Sequence, residues 1–264
     1  MQTTMQRTTS PAMTRMLPWF APLTVIVLWQ VLSMAGVIPA RVLPAPIAVG
    51  QAAADLATNG RLLTDIAASA RRAALGFLIG GTLGFLLGVV NGAVPLSSAL
   101  FDSSMQMLRT IPHLALIPLV ILWFGIGETS RVFLVAIGVL FPVYLNTYHG
   151  VRNVDPALLE MARNYGVSTR DLFWQVILPG ALPSVLVGIR YGLGIMWLTL
   201  IVAETIAAST GIGYVTMNAR EFLQTDVLVF GILLYALLGK LADVAARWLE
   251  TRLLAWNPAY AGGA

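Results

Sequence analysis

Six apolar stretches dominate this chain of 264 residues, and they constrain its fold more than any single motif does. A transmembrane helix needs roughly 20 predominantly apolar residues, because the hydrocarbon core of a bilayer is about 30 Å thick. Hydrophobic residues make up 58% of the chain and charged residues only 11%, whereas ordinary soluble domains contain about 25% charged residues. The sequence therefore predicts an all-α membrane protein with six transmembrane helices. The predicted spans are residues 17–38, 73–92, 110–125, 131–148, 182–208 and 226–249.

Composition excludes several chemistries. The chain has no cysteine, so it forms neither disulfides nor cysteine-ligated zinc or iron–sulfur centres. Its formal charge of +4 comes from few charges in total and from no concentrated basic patch, which favours a partner bilayer with anionic lipid and argues against nucleic acid. The only two histidines, His113 and His149, lie far apart in sequence and are interpreted as helix-end residues. Two separated histidines make a histidine-containing metal cluster or a Ser-His-Asp triad an unfavoured interpretation of this sequence.

The second predicted span carries a glycine at every fourth position. Residues four apart lie on one face of an α-helix, so that face has no side chains. Such rows let helix backbones approach closely in lipid, where apolar side chains alone give little drive to associate. We therefore predict a helix-packing role and assign the row no ligand. Its members are Gly76, Gly80, Gly84, Gly88 and Gly92.

A polar segment, residues 155–183, interrupts the apolar pattern between the fourth and fifth spans. Asp155 is a suitable N-cap for a helix that stops at Gly166, because glycine tolerates the left-handed conformation that often follows a helix. Ser168 is a suitable cap for a second helix that runs to Pro179. Two helices of about ten residues are too short to be stable alone in water, so they must dock on something. The alternative is an amphipathic loop that lies on the lipid interface.

The same segment resembles the EAA loop of permeases from ABC importers. In that family the loop is a cytoplasmic coupling helix, which sits in a groove of the ATP-hydrolysing subunit. Met161 replaces the first alanine of the motif and Val176 a usual isoleucine. The resemblance implies that these residues transmit force and perform no chemistry. The implied ATPase-coupling residues are Glu160, Met161, Ala162, Arg163, Gly166, Val176, Leu178 and Pro179.

A wider resemblance to the aliphatic sulfonate permease family covers about residues 18–260. It rests on residues 111–118, 122–126, 196–204 and 217–226. The resemblance implies the type I ABC importer fold, alternating access driven by ATP, and a complex of two such chains, two ATPase subunits and a periplasmic binding protein. This chain has no G-x-x-x-x-G-K-[ST] loop. We therefore expect a permease subunit that is not an enzyme and has no cofactor, with ATP and Mg²⁺ bound by the partner ATPase.

Six spans place both termini on one side, and the coupling loop makes that side the cytoplasm of a bacterial cell with the chain in the inner membrane. Nine Lys and Arg residues fall in the predicted inner segments and six in the outer ones, a modest positive-inside bias. Residues 1–16 and 253–264 are then cytoplasmic tails. Residues 17–72 hold the first span and a periplasmic segment. Residues 73–252 form the core permease domain, with the coupling helices at 155–180.

The fifth predicted span carries charged residues, which in a membrane helix normally face the bundle interior or a water-filled cavity. Arg190, Trp197 and Glu204 are seven residues apart, so they share one face with a drift of about 20° per heptad. Our hypothesis is that this face lines the translocation route. The alternative is that the two charges lie at opposite interfaces, where they bind headgroups or fix topology. The candidate route residues are Asn146, Arg190, Met196, Trp197, Thr199 and Glu204.

The resemblance leaves the substrate open, because the binding protein makes most of the choice in such systems. Taurine, nitrate, another small anion or a pyrimidine precursor are therefore alternatives to aliphatic sulfonates. A secondary transporter driven by an ion gradient would favour discontinuous helices and buried acidic relays, for which Glu204 alone is thin support. A non-transporting scaffold would not need a capped cytoplasmic helix pair.

Overall fold

The computed structural model describes residues 11–206 and 208–257, with side chains from residue 20 onward, and every regular element in them is helical. The α-helices are α1 (Pro11–Met34), α2 (Pro46–Thr58), α3 (Arg61–Ala93), α4 (Pro95–Thr110), α5 (Ile117–Phe124), α6 (Glu128–Arg152), α7 (Pro156–Asn164), α8 (Thr169–Leu172), α9 (Leu178–Thr205), α10 (Ile212–Glu221) and α11 (Thr225–Leu253). A 3₁₀ turn, His113–Leu116, precedes α5, and a π-helical turn, Phe173–Ile177, joins α8 to α9.

Four helical units in the described part of the chain are long and apolar enough to cross a membrane. They are α3, α6, α11 and the continuous helix Thr169–Thr205. The third predicted span appears as a bent pair, in which α4 and the segment His113–Phe124 meet at 81°. The first corresponds to α1, whose described apolar part is Phe20–Met34. The predicted all-α membrane class is therefore confirmed, with four full-length spans and a fifth that is broken.

The break between α4 and α5 follows from a proline. Pro112 has no backbone N–H to continue the helical hydrogen bonds, and its ring disfavours helical geometry in the preceding residue. Ile111 accordingly adopts an extended conformation, with φ −72° and ψ 119°. The chain turns there and resumes helical structure at His113.

The glycine row of α3 lies directly against α6. A Cβ atom built on Gly80 would collide with the carbonyl oxygen of Ala136, and one on Gly84 with that of Leu140. A Cβ atom on Gly88 would lie 2.6 Å from the Cβ of Thr147, whereas Cβ atoms in proteins essentially never approach another heavy atom more closely than 3.0 Å. The two backbones therefore touch along the row, as close helix packing in lipid requires.

Helix α6 is central, with α3 on one side and α9 on the other. The residues buried between these three helices are Ala73, Val135, Val139, Val143, Met196 and Leu200. Helix α3 also begins at Arg61, about three turns before the predicted span, and these early turns hold buried polar residues at positions 65, 69 and 72. Their partners define the site described next.

Candidate functional site

The polar segment after α6 begins with a capped helix, α7, as its sequence predicts. Asp155 Oδ1 accepts a hydrogen bond from the Ala157 N–H at 2.9 Å. Gly166 ends the segment's first half in the left-handed region, with φ +76°. Both features close the helix with local interactions that need no tertiary partner.

The second half of the segment is capped as predicted but does not end where predicted. Ser168 Oγ accepts a hydrogen bond from the Asp171 N–H at 3.1 Å, which starts α8. The prediction that this helix stops at Pro179 is wrong, because α8 continues through the π-helical turn into α9. A proline inside a helix removes one hydrogen bond and crowds the preceding turn, and the wider π turn directly before Pro179 accommodates it. The result is one helix of 37 residues, Thr169–Thr205.

This segment presents an apolar surface to its surroundings. Leu158, Met161 and Tyr165 of one helical face are 46%, 51% and 82% exposed, and Trp174 after them is 58% exposed. Among the predicted coupling residues, Glu160, Met161, Arg163 and Gly166 are exposed, Val176, Leu178 and Pro179 are half-buried and Ala162 is buried. A cluster of large exposed apolar side chains on a polar helix pair is typical of an interaction surface.

A buried ion cluster lies at the opposite end of α9, with Glu204 at its centre. The side chain of Glu204 is 0% exposed and that of its partner Arg72, from α3, only 2%. Arg72 Nη1 donates to Glu204 Oε1 at 2.7 Å, while Nη2 and Nε donate to the two carboxylate oxygens of Glu128 at 2.6 and 2.8 Å. Two more bonds, to the carbonyl and hydroxyl oxygens of Thr210, use the remaining guanidinium donors. Arg72 therefore makes all five hydrogen bonds available to an arginine.

The carboxylate of Glu204 is equally well satisfied. It accepts hydrogen bonds from Ser69 Oγ at 2.8 Å, from Tyr235 OH of α11 at 2.9 Å and from the Gly213 N–H at 2.9 Å. A buried charge is stable only when it is paired and hydrogen-bonded on all sides. The cluster therefore ties together α3, α6, α9 and α11.

The cluster also holds the start of α10. The first three backbone N–H groups there donate to Asp65 Oδ1, Ser69 Oγ and Glu204 Oε2, at 2.8, 2.9 and 2.9 Å. These groups have no partner within a helix of their own, so side chains of α3 and α9 supply it. The first of these N–H groups belongs to Gly211, the residue before α10, whose φ of +113° is a backbone conformation that favours glycine. Sequence reasoning found Glu204 but missed Asp65, Ser69, Arg72, Glu128 and Tyr235.

The three heptad-spaced residues of α9 do share one face, and that face packs against α11 of the same chain. Arg190 Nε donates to Asp243 Oδ1 at 2.7 Å. The rings of Trp197 and Tyr235 meet edge to face at 6.3 Å, and Glu204 accepts from the Tyr235 hydroxyl. A role for these residues in the translocation route stays a prediction.

The other route candidates lie in helix interfaces. Asn146 Nδ2 donates to the Pro142 carbonyl of the preceding turn at 2.8 Å, and Met196 is buried in the core. Thr199 is fully buried, and its Oγ1 lies 2.9 Å from Nε2 of His113, which begins the 3₁₀ turn. Within the described residues, no group of three or more His, Asp or Glu side chains has the geometry to hold a metal ion.

Comparison with known proteins identifies the class. The family model for the binding-protein-dependent transport system inner membrane component matches residues 80–255. The chain belongs to this family, and it is therefore a permease subunit of the inner membrane that works with a separate ATPase and a substrate-binding protein, not an enzyme.

Individual relatives are similar to this chain over most of its length. The aliphatic sulfonates transport permease protein SsuC of Escherichia coli K12 is 58% identical over 93% of this chain and 94% of its own length. The protein of the same name from Bacillus subtilis 168 is 46% identical over 91% of this chain and 87% of its own. A solved structure, of an amino acid ABC transporter, has a TM-score of 0.59 at 17% identity and covers 75% of this chain and 97% of that chain. That likeness shows the fold.

Proposed function

We propose that two copies of this chain form the translocation pathway of an ATP-driven importer for aliphatic sulfonates. Two ATPase subunits bind ATP and Mg²⁺ in this proposal, and a periplasmic binding protein delivers the substrate. The names of the two relatives described above support the substrate class. The observation that carries the proposal is the capped segment after α6, which exposes an apolar face and whose second half, α8, is continuous with a membrane span.

That continuity gives the segment a mechanical role. The helix Thr169–Thr205 has 37 residues and is therefore about 55 Å long at 1.5 Å per residue. Its first turns lie beside α7, and its last turn carries Glu204 in the buried ion cluster. A displacement of the coupling segment by the closing ATPase dimer thus reaches the far end of the bundle through a single helix. This is how ATP binding would open the pathway outward, with hydrolysis resetting it.

The contact with the ATPase is tested by crosslinking. The chain has no cysteine, so a Tyr165→Cys variant carries a unique thiol on a side chain that is 82% exposed. We expect a short thiol-reactive crosslinker at this position to capture the ATPase subunit. Phe222→Cys is the control, because Phe222 is 68% exposed and follows α10 at the opposite end of α9. Capture of lipid alone by Tyr165→Cys would favour the interfacial-loop alternative.

The turn at Gly166 is tested by substitution. Valine there must adopt φ near +76°, which costs roughly 1 kcal/mol or more for a residue with a Cβ atom. We expect Gly166→Val to uncouple transport, with loss of substrate-stimulated ATPase activity in the assembled complex. Gly60→Val is the matched control, because Gly60 has φ +70° and open space but lies between α2 and α3. Normal stimulation in Gly166→Val, or the same loss in Gly60→Val, would contradict this expectation.

The substrate and the energy source are tested together by reconstitution. The complex with its own binding protein, in liposomes, should take up an alkanesulfonate in an ATP-dependent manner and faster than taurine or nitrate. Faster uptake of taurine or nitrate would assign the chain to another substrate of the same transporter group. Uptake that follows an imposed ion gradient without ATP would establish a secondary transporter instead.

A further inference from the structure

A groove between α9 and α11 has the form of a ligand site. This open groove has a volume of about 630 Å³, within the range of about 300–1,000 Å³ that is usual for small-molecule sites. Its walls are mostly apolar and include Val187, Tyr191 and Leu198. The charged side chains among its lining residues are Arg190 and Asp243, on facing helices. The groove thus offers an apolar surface with one ion pair on it.

The arginine of this groove has hydrogen-bonding capacity to spare. Within the described residues, Arg190 donates one hydrogen bond, from Nε to Asp243 Oδ1, and its Nη1 lies 3.8 Å from Glu250 Oε2, too far for a second. Arg72, by contrast, makes five hydrogen bonds. The side chain of Arg190 is 39% exposed and lines the groove. Such a guanidinium edge matches the oxygen atoms of a tetrahedral anion.

The ion cluster around Arg190 is also short of negative charge. Asp243 is shared by three cations, namely Arg190 at 2.7 Å, Arg247 at 3.0 Å and Lys240 at 3.6 Å. Glu250 is the second carboxylate, so three cations and two carboxylates leave one net positive charge. A cluster with excess positive charge attracts anions, and most strongly where water is partly excluded.

The positive charge of Arg190 lies within the length of a membrane-spanning helix. It lies twelve residues after the start of α9 at Leu178, which is about 18 Å along the helix axis. An arginine inside a membrane span is costly unless it faces water, a partner charge or a bound anion. Asp243 supplies a partner charge at the Nε edge of Arg190, and the Nη groups are left to water or to a bound anion.

We propose that the α9–α11 groove is a binding site for an organic sulfonate on its way through the membrane. The Nη groups of Arg190 bind the sulfonate oxygens, the apolar wall holds the alkyl chain, and Asp243 competes with the anion for the guanidinium. This inference rests on the proposed function and adds the residue that recognises the headgroup. Asp243 acts by positioning Arg190 and limiting its affinity, so that the anion can leave again.

The test is binding of pentanesulfonate to the purified permease–ATPase complex in a neutral detergent, without the binding protein. Wild-type complex should bind it saturably, and Arg190→Gln should bind it about ten- to a hundredfold more weakly, because a charge-assisted bidentate contact is lost. Asp243→Asn should bind several times more tightly than wild type. A gain in affinity cannot arise from misfolding, so this variant keeps the proposal falsifiable if Arg190→Gln assembles poorly.

A matched control removes the same charge outside the groove. Arg247→Gln removes the excess positive charge of the cluster but leaves the Nη donors of Arg190 in place, and Arg247 does not line the groove, so binding should weaken less than threefold. Equal binding by wild type and Arg190→Gln would overturn the proposal, as would equal losses in Arg190→Gln and Arg247→Gln. Retention of anionic phospholipid that pentanesulfonate does not displace would assign the site to a lipid headgroup and also overturn it.

The outcome is separable from that of the proposed function. Sulfonate uptake by the wild-type complex together with unaltered binding in Arg190→Gln would leave the importer in place and remove this site. Saturable, Arg190-dependent binding of pentanesulfonate without sulfonate uptake would instead show an anion site in a transporter for a different substrate.

Discussion

Replacing Arg72 with methionine should destabilise the protein more than any other single change to its charged residues, by about 3–5 kcal/mol. The substitution leaves Glu204 as a carboxylate with a fully buried side chain and no cation, and it also removes the bonds to Glu128 and Thr210. The measurement is thermal unfolding of the purified complex in detergent. We expect a large fall in the midpoint and loss of assembled complex at growth temperature.

A neighbouring arginine provides the control. Arg71 is 66% exposed and makes one ion pair with Glu128 at 3.2 Å, so Arg71→Met should cost less than about 1 kcal/mol. The double variant Arg72→Met, Glu204→Gln should recover part of the loss, because the amide no longer leaves an unpaired buried charge. Equal destabilisation by Arg71→Met and Arg72→Met would show that the cluster is not the structural centre described above.

Alanine at Gly80 should prevent the close approach of α3 and α6. Its Cβ would meet the backbone carbonyl of Ala136, which cannot rotate away as a side chain does. Overpacking of a tight interface typically costs 1–3 kcal/mol, and we expect about the upper end of this range. The measurement is the yield of folded, monodisperse complex and its unfolding temperature.

The adjacent glycine separates packing from helix propensity. A Cβ atom at Gly81 would lie 3.8 Å from the ring of Phe77, an ordinary contact distance. Gly81→Ala should therefore be neutral or stabilising by up to about 1 kcal/mol, because alanine favours helices more than glycine does. A stable Gly80→Ala variant would show that the two helices have room to separate.

Features that depend on neighbours in sequence were predictable. The glycine row predicts a close helix contact, because glycines repeated at every fourth position lie on one face of a helix. The sequence alone does not identify α6 as the helix on the other side of that contact. The caps at Asp155 and Ser168 depend on residues two and three positions away, so local rules suffice. The same local rules wrongly placed a helix end at Pro179, because the wide π turn before this proline depends on how the whole helix continues.

Features that depend on distant residues were not predictable. Arg72 and Glu204 are 132 positions apart, and no local pattern around either residue identifies the other as its partner. A signal was nevertheless present, since an acidic residue in a membrane span requires a buried cation. Arg71 and Arg72 are two of the six basic residues counted in the predicted outer segments, and their pairing with Glu128 and Glu204 cannot be read from the sequence.

The π-helical turn between α8 and α9 also sets the rotation of α8 about the axis of the long helix Thr169–Thr205. There the Leu178 N–H bonds to the Phe173 carbonyl, five residues back, so the turn holds one residue more than an α turn. One residue corresponds to about 100° of rotation around a helix axis. The helical turn before it, α8 with its cap Ser168, is therefore rotated by about 100° from where an uninterrupted α-helix would place it. In the proposed function, this rotation sets the direction in which α8 meets the ATPase relative to the membrane span.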